Sequence, residues 1–139
     1  HDCVVGNDNV FANNAGIAGH VTVGNNVTIG ALTTIHQFCQ MGDYSFAGMN
    51  ASITMDVPSY IKVASNPARV VGLNSVGMER GGIDHETITI LKKAYKIIYR
   101  KGFNLKDAIE KVESIEPSNV QEVRNFIDSI KSSERGILR

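Results

Sequence analysis

The fold is decided by residues 21–35, which read VTVGNNVTIGALTTI. Large apolar residues recur there at every sixth position, and the residues between them are mostly Gly, Asn and Thr. A period of six matches neither an amphipathic helix nor an alternating strand, and it indicates a repeat architecture. The same period continues in both directions through Val5, Phe11, Ile17, Val23, Ile29, Ile35, Met41, Ala47 and Ile53. We therefore expect a parallel β-helix built from hexapeptide repeats.

Each hexapeptide would form one short strand and one corner of a triangular prism. The large apolar side chain fills the axis, and the residue after it is mostly small, as at Gly6, Gly24 and Gly30, where a neighbouring wall crowds it. Gly and Asn at the corners tolerate left-handed backbone angles. Three hexapeptides close one coil of 18 residues, so residues 5–58 predict about three coils, stacked roughly 4.8 Å apart.

After Ala64 the pattern changes, which predicts three parts: the β-helix over 1–64, a connecting segment over 65–83, and an α-helical domain over 84–139. Apolar residues at helical spacing predict a first helix capped by Asp84 and ending before Gly102. Asn104 with Asp107 predicts the start of a second helix. Ser118 with Gln121 predicts a capping box for a third.

Composition and charge argue against a membrane-spanning protein, a general nucleic-acid-binding protein and a disulfide scaffold. The 139 residues include 14 Lys and Arg and 14 Asp and Glu, and no apolar run approaches the ~18 residues of a membrane span. All Lys and Arg follow residue 58, so the two halves carry charges of −4 and +4 (0 − 4 and 14 − 10). Such a balance argues against general nucleic-acid binding. Cys3 and Cys39 show no metal-type spacing and are too few for a disulfide scaffold, which favours a reducing cytoplasm.

The 18-residue coil brings histidines together. Residues 18 apart stack directly, so Gly19 should lie above His1, His20 above Asp2, and Gln37 above Gly19. His36 falls in the column beside His1. Three of the four histidines are therefore expected at one edge of the prism, on three successive coils.

This edge has three possible interpretations. One is a general-base site, in which Asp2 holds the imidazole of His1 in the required tautomer. A second is a zinc site, since three imidazoles suit that metal, although they lie in three different columns and coils. The third is that the histidines are solvent-exposed residues without a role.

Motifs along the whole chain resemble one family. They are His1-Asp2-Cys3, Asn13-Asn14, Ala18-Gly19-His20-Val21, His36-Gln37-Phe38-Cys39, Asp56-Val57-Pro58, Asn66-Pro67-Ala68, Arg80, Ala94-Tyr95-Lys96, Tyr99-Arg100 and Arg135-Gly136-Ile137 with Arg139. Together they are similar to the UDP-N-acetylglucosamine O-acyltransferases of lipid A biosynthesis. The resemblance implies a homotrimer of left-handed parallel β-helices, with active sites between neighbouring prisms. Family members carry further coils before His1, so we expect a portion of a longer protein.

The resemblance also implies a reaction and its residues. A 3-hydroxyacyl group would pass from acyl carrier protein, which bears it on phosphopantetheine, to the glucosamine 3-hydroxyl of UDP-N-acetylglucosamine, with no metal or other cofactor. The resemblance implies that His1 is the general base, that Asp2 orients it, and that the backbone N–H of Gly19 binds the oxyanion. It implies that His20 and Gln37 position the substrate and that His36 supports the site. Asn74 and Arg80 would contact the nucleotide and its phosphates.

Two positions depart from the family pattern, and a third, Met49, distinguishes members within the family. Val76 stands where an acid is expected and Gly81 where a second Arg is expected, so nucleotide contacts would be weaker or differently arranged. Met49 stands where members that take long acyl chains have Gly. A Met there resembles members with a short acyl pocket, and it predicts a preference for chains of about ten carbons; otherwise Met49 is a surface residue.

A basic stretch lies on the first predicted helix. It comprises Lys92, Lys93, Lys96, Arg100 and Lys101. Its lysines and arginines are either an ordinary solvated face or a docking surface for acidic acyl carrier protein. Two alternatives remain for the function of the whole chain. It is either another acyltransferase, such as the N-acyltransferase of the same pathway, or a non-catalytic fragment.

Overall fold

The computed structural model describes residues 1–139 and contains nine two-residue strands that wind into coils. These are β1 Val4–Val5, β2 Val10–Phe11, β3 Gly16–Ile17, β4 Thr22–Val23, β5 Thr28–Ile29, β6 Thr34–Ile35, β7 Gln40–Met41, β8 Phe46–Ala47 and β9 Ser52–Ile53. They form three parallel walls, in the orders β1-β4-β7, β2-β5-β8 and β3-β6-β9. The expected parallel β-helix is confirmed.

The register of the walls follows the 18-residue coil. Val5 pairs with Val23, and Val23 with Met41, so the large apolar residues stack along the axis. Val23, in the middle coil, is only 2% exposed, and Val5, in the first coil of the described residues, is 47% exposed. In the last coil the offset falls to 16 residues, where Val57 bridges to Met41.

The corners of the prism use left-handed backbone at every sixth residue. Their φ values lie between 58° and 66° at Asp2, Asp8, Asn14, His20, Asn26, Leu32, Phe38, Tyr44 and Asn50. Asp and Asn tolerate this region better than other residues with a Cβ atom. Four of these corners instead carry the larger residues His20, Leu32, Phe38 and Tyr44.

Residues 65–83, which the sequence predicted as a connection, contain regular structure. Strand β10, Ile61–Ala64, extends the second wall, and β11, Arg69–Leu73, pairs antiparallel with it. Helix α1, Ser75–Arg80, follows at once. The sequence did not predict these elements because β11 pairs with β10 across a turn, and this pairing does not follow the six-residue period.

Three helices complete the chain: α2 His85–Tyr99, α3 Leu105–Glu113 and α4 Gln121–Lys131. Asp84 and Asn104 accept hydrogen bonds from the N–H groups of Thr87 and Asp107, which confirms the first two predicted caps. No helix is long and apolar enough to cross a bilayer.

The capping box predicted for the third helix is wrong. Helix α4 has Val120 at its N-cap position and no side-chain cap. The backbone N–H of Ser118 donates to the Glu116 carboxylate instead, and Asn119 adopts a left-handed φ of 63°. This local turn separates Ser118 from the helix, and the Gln121 amide bonds to Asn125.

The helices and the β-helix share one core of 27 buried residues. The C-terminal residues return to the β-helix, where Ile137 forms a parallel bridge with Asp56. The buried carboxylate of Asp56 accepts hydrogen bonds from the N–H of Gln40 and the hydroxyl of Ser133. The helical region is thus anchored on the last coil.

Tyr60 lies in this shared core, and because its hydroxyl is buried we expect the fold to lose stability at high pH. Its ring is 2% exposed, and burial raises the pKa of Tyr60 to about 12, while a hydrogen bond from Asn125 partly opposes that rise. An unfolded Tyr titrates near pH ~10, so the unfolded chain loses its proton first. Stability is therefore full below pH ~10 and falls as the pH rises toward 12.

Urea unfolding from about pH 9 to about pH 11.5, a range that spans the ordinary pKa of Tyr, tests this expectation. The Tyr60→Phe variant should lose stability less steeply than the natural chain, by up to ~1.4 kcal/mol per pH unit. Part of the slope should remain, because burial also raises the pKa of Tyr99. Parallel curves for the two proteins would contradict the assignment.

Candidate active site

One corner of the prism, here called the histidine corner, is formed by His1-Asp2, Gly19-His20 and Gln37-Phe38 on successive coils. The backbone N–H of His20 donates to the carbonyl of His1 at 3.0 Å, and that of Phe38 donates to the carbonyl of Gly19 at 3.0 Å. These bonds fix the 18-residue stacking that the sequence predicted. The corner projects into solvent, with all its side chains exposed or half-exposed.

His1 and Asp2 form the closest polar contact of this corner. Nδ1 of His1 lies 2.6 Å from Oδ2 of Asp2. A carboxylate can only accept, so this contact holds the ring proton on Nδ1 and leaves Nε2 as the basic nitrogen. His1 therefore has the tautomer that a general base requires.

His20 packs at the same corner. Its ring is nearly perpendicular to that of His1, with centroids 5.2 Å apart, and its Nε2 lies 3.8 Å from Oδ2 of Asp2. The predicted proximity of His1, Asp2 and His20 is thus confirmed. His36 is exposed in the next column, where its Nδ1 lies 3.1 Å from the carbonyl oxygen of Gln37.

Gly19 lies directly against the imidazole of His1. A Cβ atom built at Gly19 would sit 2.9 Å from Nε2 of His1 and 3.0 Å from Cε1. Only glycine leaves this nitrogen open, so any side chain at position 19 would displace the imidazole.

The backbone N–H of Gly19 also has no hydrogen-bond acceptor within the chain. The equivalent N–H groups of Asn7 and Asn25 are paired with the side chains of Asn25 and Asp43, each at 2.8 Å, whereas those of Gln37, Asn13 and Ala31 are also free. An N–H left free beside a basic nitrogen can stabilise negative charge that develops on an oxygen atom.

Asn74 and Arg80 lie at a different corner. Both line a cavity of about 520 Å³ beside Asn26 and Tyr44. The side chain of Asn74 is buried, accepts from the N–H of Gly77 at 3.1 Å, and donates to the carbonyl of Tyr44 at 2.8 Å. Within the chain, Asn74 therefore caps helix α1 and ties it to the β-helix.

The two departures from the family pattern lie at this same cavity. Val76 is exposed at its edge. A Cβ atom at Gly81 would sit 2.6 Å from Cε1 of Tyr44. The Tyr44 ring occupies the space that a side chain at position 81 would need, which accounts for the glycine.

Met49 lies at the third corner, above Asn13 and Ala31, and is 71% exposed. The sequence-predicted site residues thus occupy all three corners of the prism. The structure brings His1, Asp2, Gly19, His20 and Gln37 together, with His36 adjacent. It does not bring them to Asn74, Arg80 or Met49 within one chain.

The zinc interpretation used His1, His20 and His36, but the ligand atoms that lie close enough to hold a cation belong to His1, Asp2 and His20. Ligand atoms of His1, Asp2 and His20 lie within 4.8 Å of one another. The 2.6 Å contact between His1 and Asp2 is the length of a charge-assisted hydrogen bond. The arrangement fits a shared proton better than a metal ion between these two groups.

Phe38 is a residue to which the sequence patterns assigned no role. Its ring stacks on that of His20, with centroids 4.6 Å apart and planes 5° from parallel. Stepping by 18 residues from His20 leads to Phe38, so the same arithmetic could have revealed this contact.

Comparison with known proteins decides the family. Residues 56–138 match the family profile described as UDP-N-acetylglucosamine O-acyltransferase, domain 2. The chain belongs to this family. Residues 2–37 of this O-acyltransferase family member also match the profile of the bacterial transferase hexapeptide repeat.

Individual relatives agree with the family assignment. The acyl-(acyl-carrier-protein)–UDP-N-acetylglucosamine O-acyltransferase of Ectopseudomonas mendocina is 43% identical over 140 aligned positions, covering 100% of this chain and 54% of the relative. The enzyme of the same name from Thiobacillus denitrificans is 40% identical, with the same coverage. This O-acyltransferase family member thus spans about half the length of the curated relatives it matches.

Solved structures show the same fold. The UDP-N-acetylglucosamine O-acyltransferase of Moraxella catarrhalis superposes with a TM-score of 0.91 at 44% identity, covering 100% of this chain and 54% of that one. The Arabidopsis UDP-N-acetylglucosamine acyltransferase superposes with a TM-score of 0.94 at 32% identity, covering 100% and 51%. The hexapeptide β-helix with its following helices is therefore the O-acyltransferase fold.

Proposed function

We propose that this chain carries the catalytic residues of an enzyme that transfers a 3-hydroxyacyl group from acyl carrier protein to the 3-hydroxyl of UDP-N-acetylglucosamine. One observation carries the proposal: the tautomer-fixing contact between His1 and Asp2 lies beside the unpaired N–H of Gly19. The relatives' names point to an acyl-acyl carrier protein as the donor and UDP-N-acetylglucosamine as the acceptor.

In the proposed reaction, Nε2 of His1 takes the proton of the sugar hydroxyl as its oxygen attacks the thioester carbonyl. The new C–O bond forms, and the carbonyl electrons move onto oxygen, where the N–H of Gly19 stabilises them. The C–S bond then breaks, and the leaving thiolate receives the proton from His1. Asp2 stabilises the imidazolium between these steps. The steps need only protein groups.

The substrate contacts are assigned to the remaining site residues. His20 and Gln37 lie at the histidine corner and would position the acceptor, and His36 in the next column would support the site. Arg80 is the phosphate-binding group of the proposal, since a guanidinium can donate two parallel hydrogen bonds. Asn74 supports that role by holding helix α1, on which Arg80 lies.

The proposal includes a homotrimer acting in the cytoplasm. The histidine corner, the cavity of Arg80 and the Met49 corner lie at separate edges of one prism. Neighbouring copies can bring different corners face to face, whereas a single copy cannot. The basic stretch is exposed at Lys92, Lys93 and Lys96 of α2 and at Arg100 and Lys101 just after the helix, and it would dock the acidic carrier protein.

A transfer assay with the full-length polypeptide tests the activity. The donor is 3-hydroxyacyl-acyl carrier protein, the acceptor is UDP-N-acetylglucosamine, and the product is identified by mass spectrometry and by its lability to mild base, which separates an ester from an amide. Ester formation supports the proposal. Transfer only to an amino-sugar acceptor would support the N-acyltransferase alternative, and transfer to neither would favour a non-catalytic role.

Met49 is proposed to limit the length of the acyl chain. The Met49→Gly variant should gain activity with a donor of about 14 carbons relative to one of about ten, because removing a side chain from an apolar pocket admits further methylenes. We expect the ratio of kcat/KM values to shift by about 10- to 200-fold.

Competition between the two donors in one reaction gives this ratio directly. Val71→Ala removes another solvent-exposed apolar side chain, on strand β11, and serves as the matched control. An unchanged ratio in Met49→Gly would show that Met49 is only a surface residue.

A further inference from the structure

Phe38 has an unfavourable backbone conformation, and its ring gains little burial in the fold. Its φ is 66°, in the left-handed region, where side chains with a Cβ atom are strained and Asn or Asp is tolerated best. Its side chain is 55% exposed, so little apolar surface is buried in return. Bulky residues held in such a conformation cluster at functional sites.

The surroundings of Phe38 differ from those of the other bulky corner residues. Tyr44 also has a left-handed backbone, but its ring packs on Tyr60 of the shared core. Leu32 is exposed at a corner without an aromatic contact. Phe38 instead lies flat against His20 at the histidine corner.

The contacts form a continuous column. Asp2, His20 and Phe38 lie at the same corner position on three successive coils, joined by the 3.8 Å approach of Asp2 to His20 and the 4.6 Å stack of His20 on Phe38. An exposed imidazole is otherwise free to turn about its side-chain bonds. Phe38 covers one face of the ring and thereby restricts its plane.

We infer that Phe38 is a positioning residue, which holds the imidazole of His20 edge-on to His1 and directs its Nε2 toward Asp2. The inference rests on the proposed acyl transfer, in which His20 orients the acceptor. It predicts that Phe38 acts through His20 and does so without stabilising the fold.

The experiment compares four variants of the full-length polypeptide: Phe38→Leu, Phe38→Asn, Phe38→Tyr and, as the matched control at another left-handed corner, Leu32→Ala. The Leu and Asn variants should lose about two- to tenfold in kcat/KM for the nucleotide sugar, since an aromatic pair contributes a factor of that size. The Tyr variant should retain activity. The Asn variant relieves backbone strain and should melt no lower than the natural chain.

A double-mutant cycle shows whether Phe38 acts through His20. In a His20→Ala background, Phe38→Leu should cause no further loss of kcat/KM. An equal loss in both backgrounds would overturn the inference, because Phe38 would then act on the substrate or on the fold directly.

NMR of 13C-labelled histidine gives a readout that does not need activity. The His20 ring protons should lose the ring-current shift of Phe38 in the Leu and Asn variants, and keep it in the Tyr and Leu32→Ala variants. Unchanged His20 resonances in Phe38→Leu would overturn the inference whether or not the chain transfers acyl groups. Absence of transfer by the natural chain, with the expected spectral change, would instead refute only the proposed function.

Discussion

Replacing His1 with Ala is expected to lower kcat for acyl transfer by about 10²- to 10⁴-fold, with the fold intact. The reason is local: Nε2 of His1 is the basic nitrogen beside the free N–H of Gly19, and Asp2 fixes its tautomer at 2.6 Å. The exposed side chain of His1 supports no part of the core. Its removal should therefore leave the melting temperature unchanged.

The measurement is single-turnover transfer from the acyl carrier protein donor, which isolates the chemical step. His85→Ala is the control, because His85 is an exposed histidine at the start of α2, away from the histidine corner. Asp2→Asn provides a second comparison, since the amide allows the wrong tautomer of His1 and should also slow transfer strongly. Near-normal turnover of His1→Ala would remove His1 from the mechanism.

The second large effect is on stability. Adding a methyl group at Gly30 is expected to lower the free energy of unfolding by about 3 kcal/mol. A Cβ atom there would sit 2.6 Å from the backbone nitrogen of Met49 and 2.8 Å from the carbonyl oxygen of Ala47. Both atoms belong to the backbone of the next coil, which cannot move without breaking the wall.

Gly16→Ala is the matched control, since no atom lies within 4 Å of the place that the added methyl group would take and the φ of Gly16 is not positive. Alanine there should be neutral or slightly stabilising, because it reduces the freedom of the unfolded chain. Urea denaturation of the two variants measures the contrast. Equal stabilities would show that the small residue after each large apolar one is not required by packing.

The six-residue period predicted most of the fold, because a repeat makes the same contact on every coil. Once Val5, Val23 and Met41 were aligned at multiples of 18, every other pair at that spacing followed, including His1 with Gly19 and Asp2 with His20. The predicted corner was therefore confirmed without any knowledge of side-chain direction.

Contacts outside the period could not be obtained in this way. The antiparallel pairing of β11 with β10 depends on a turn that interrupts the repeat. Ser118 bonds locally to Glu116, so its apparent capping signal did not serve helix α4. The bonds of the Asn74 side chain to α1 and to Tyr44 also lie outside the six-residue period.

The sequence by itself determined the β-helix, the stacking of its corners and the residues that share each corner, since these depend only on spacing along a regular repeat. The tertiary structure decided how the groups are oriented. It directed His1 toward Asp2, left the N–H of Gly19 unpaired, laid Phe38 flat on His20, and placed Arg80 and Met49 on other corners. Side-chain rotation and hydrogen-bond pairing depend on neighbours from other coils and helices, and no period in the sequence specifies them.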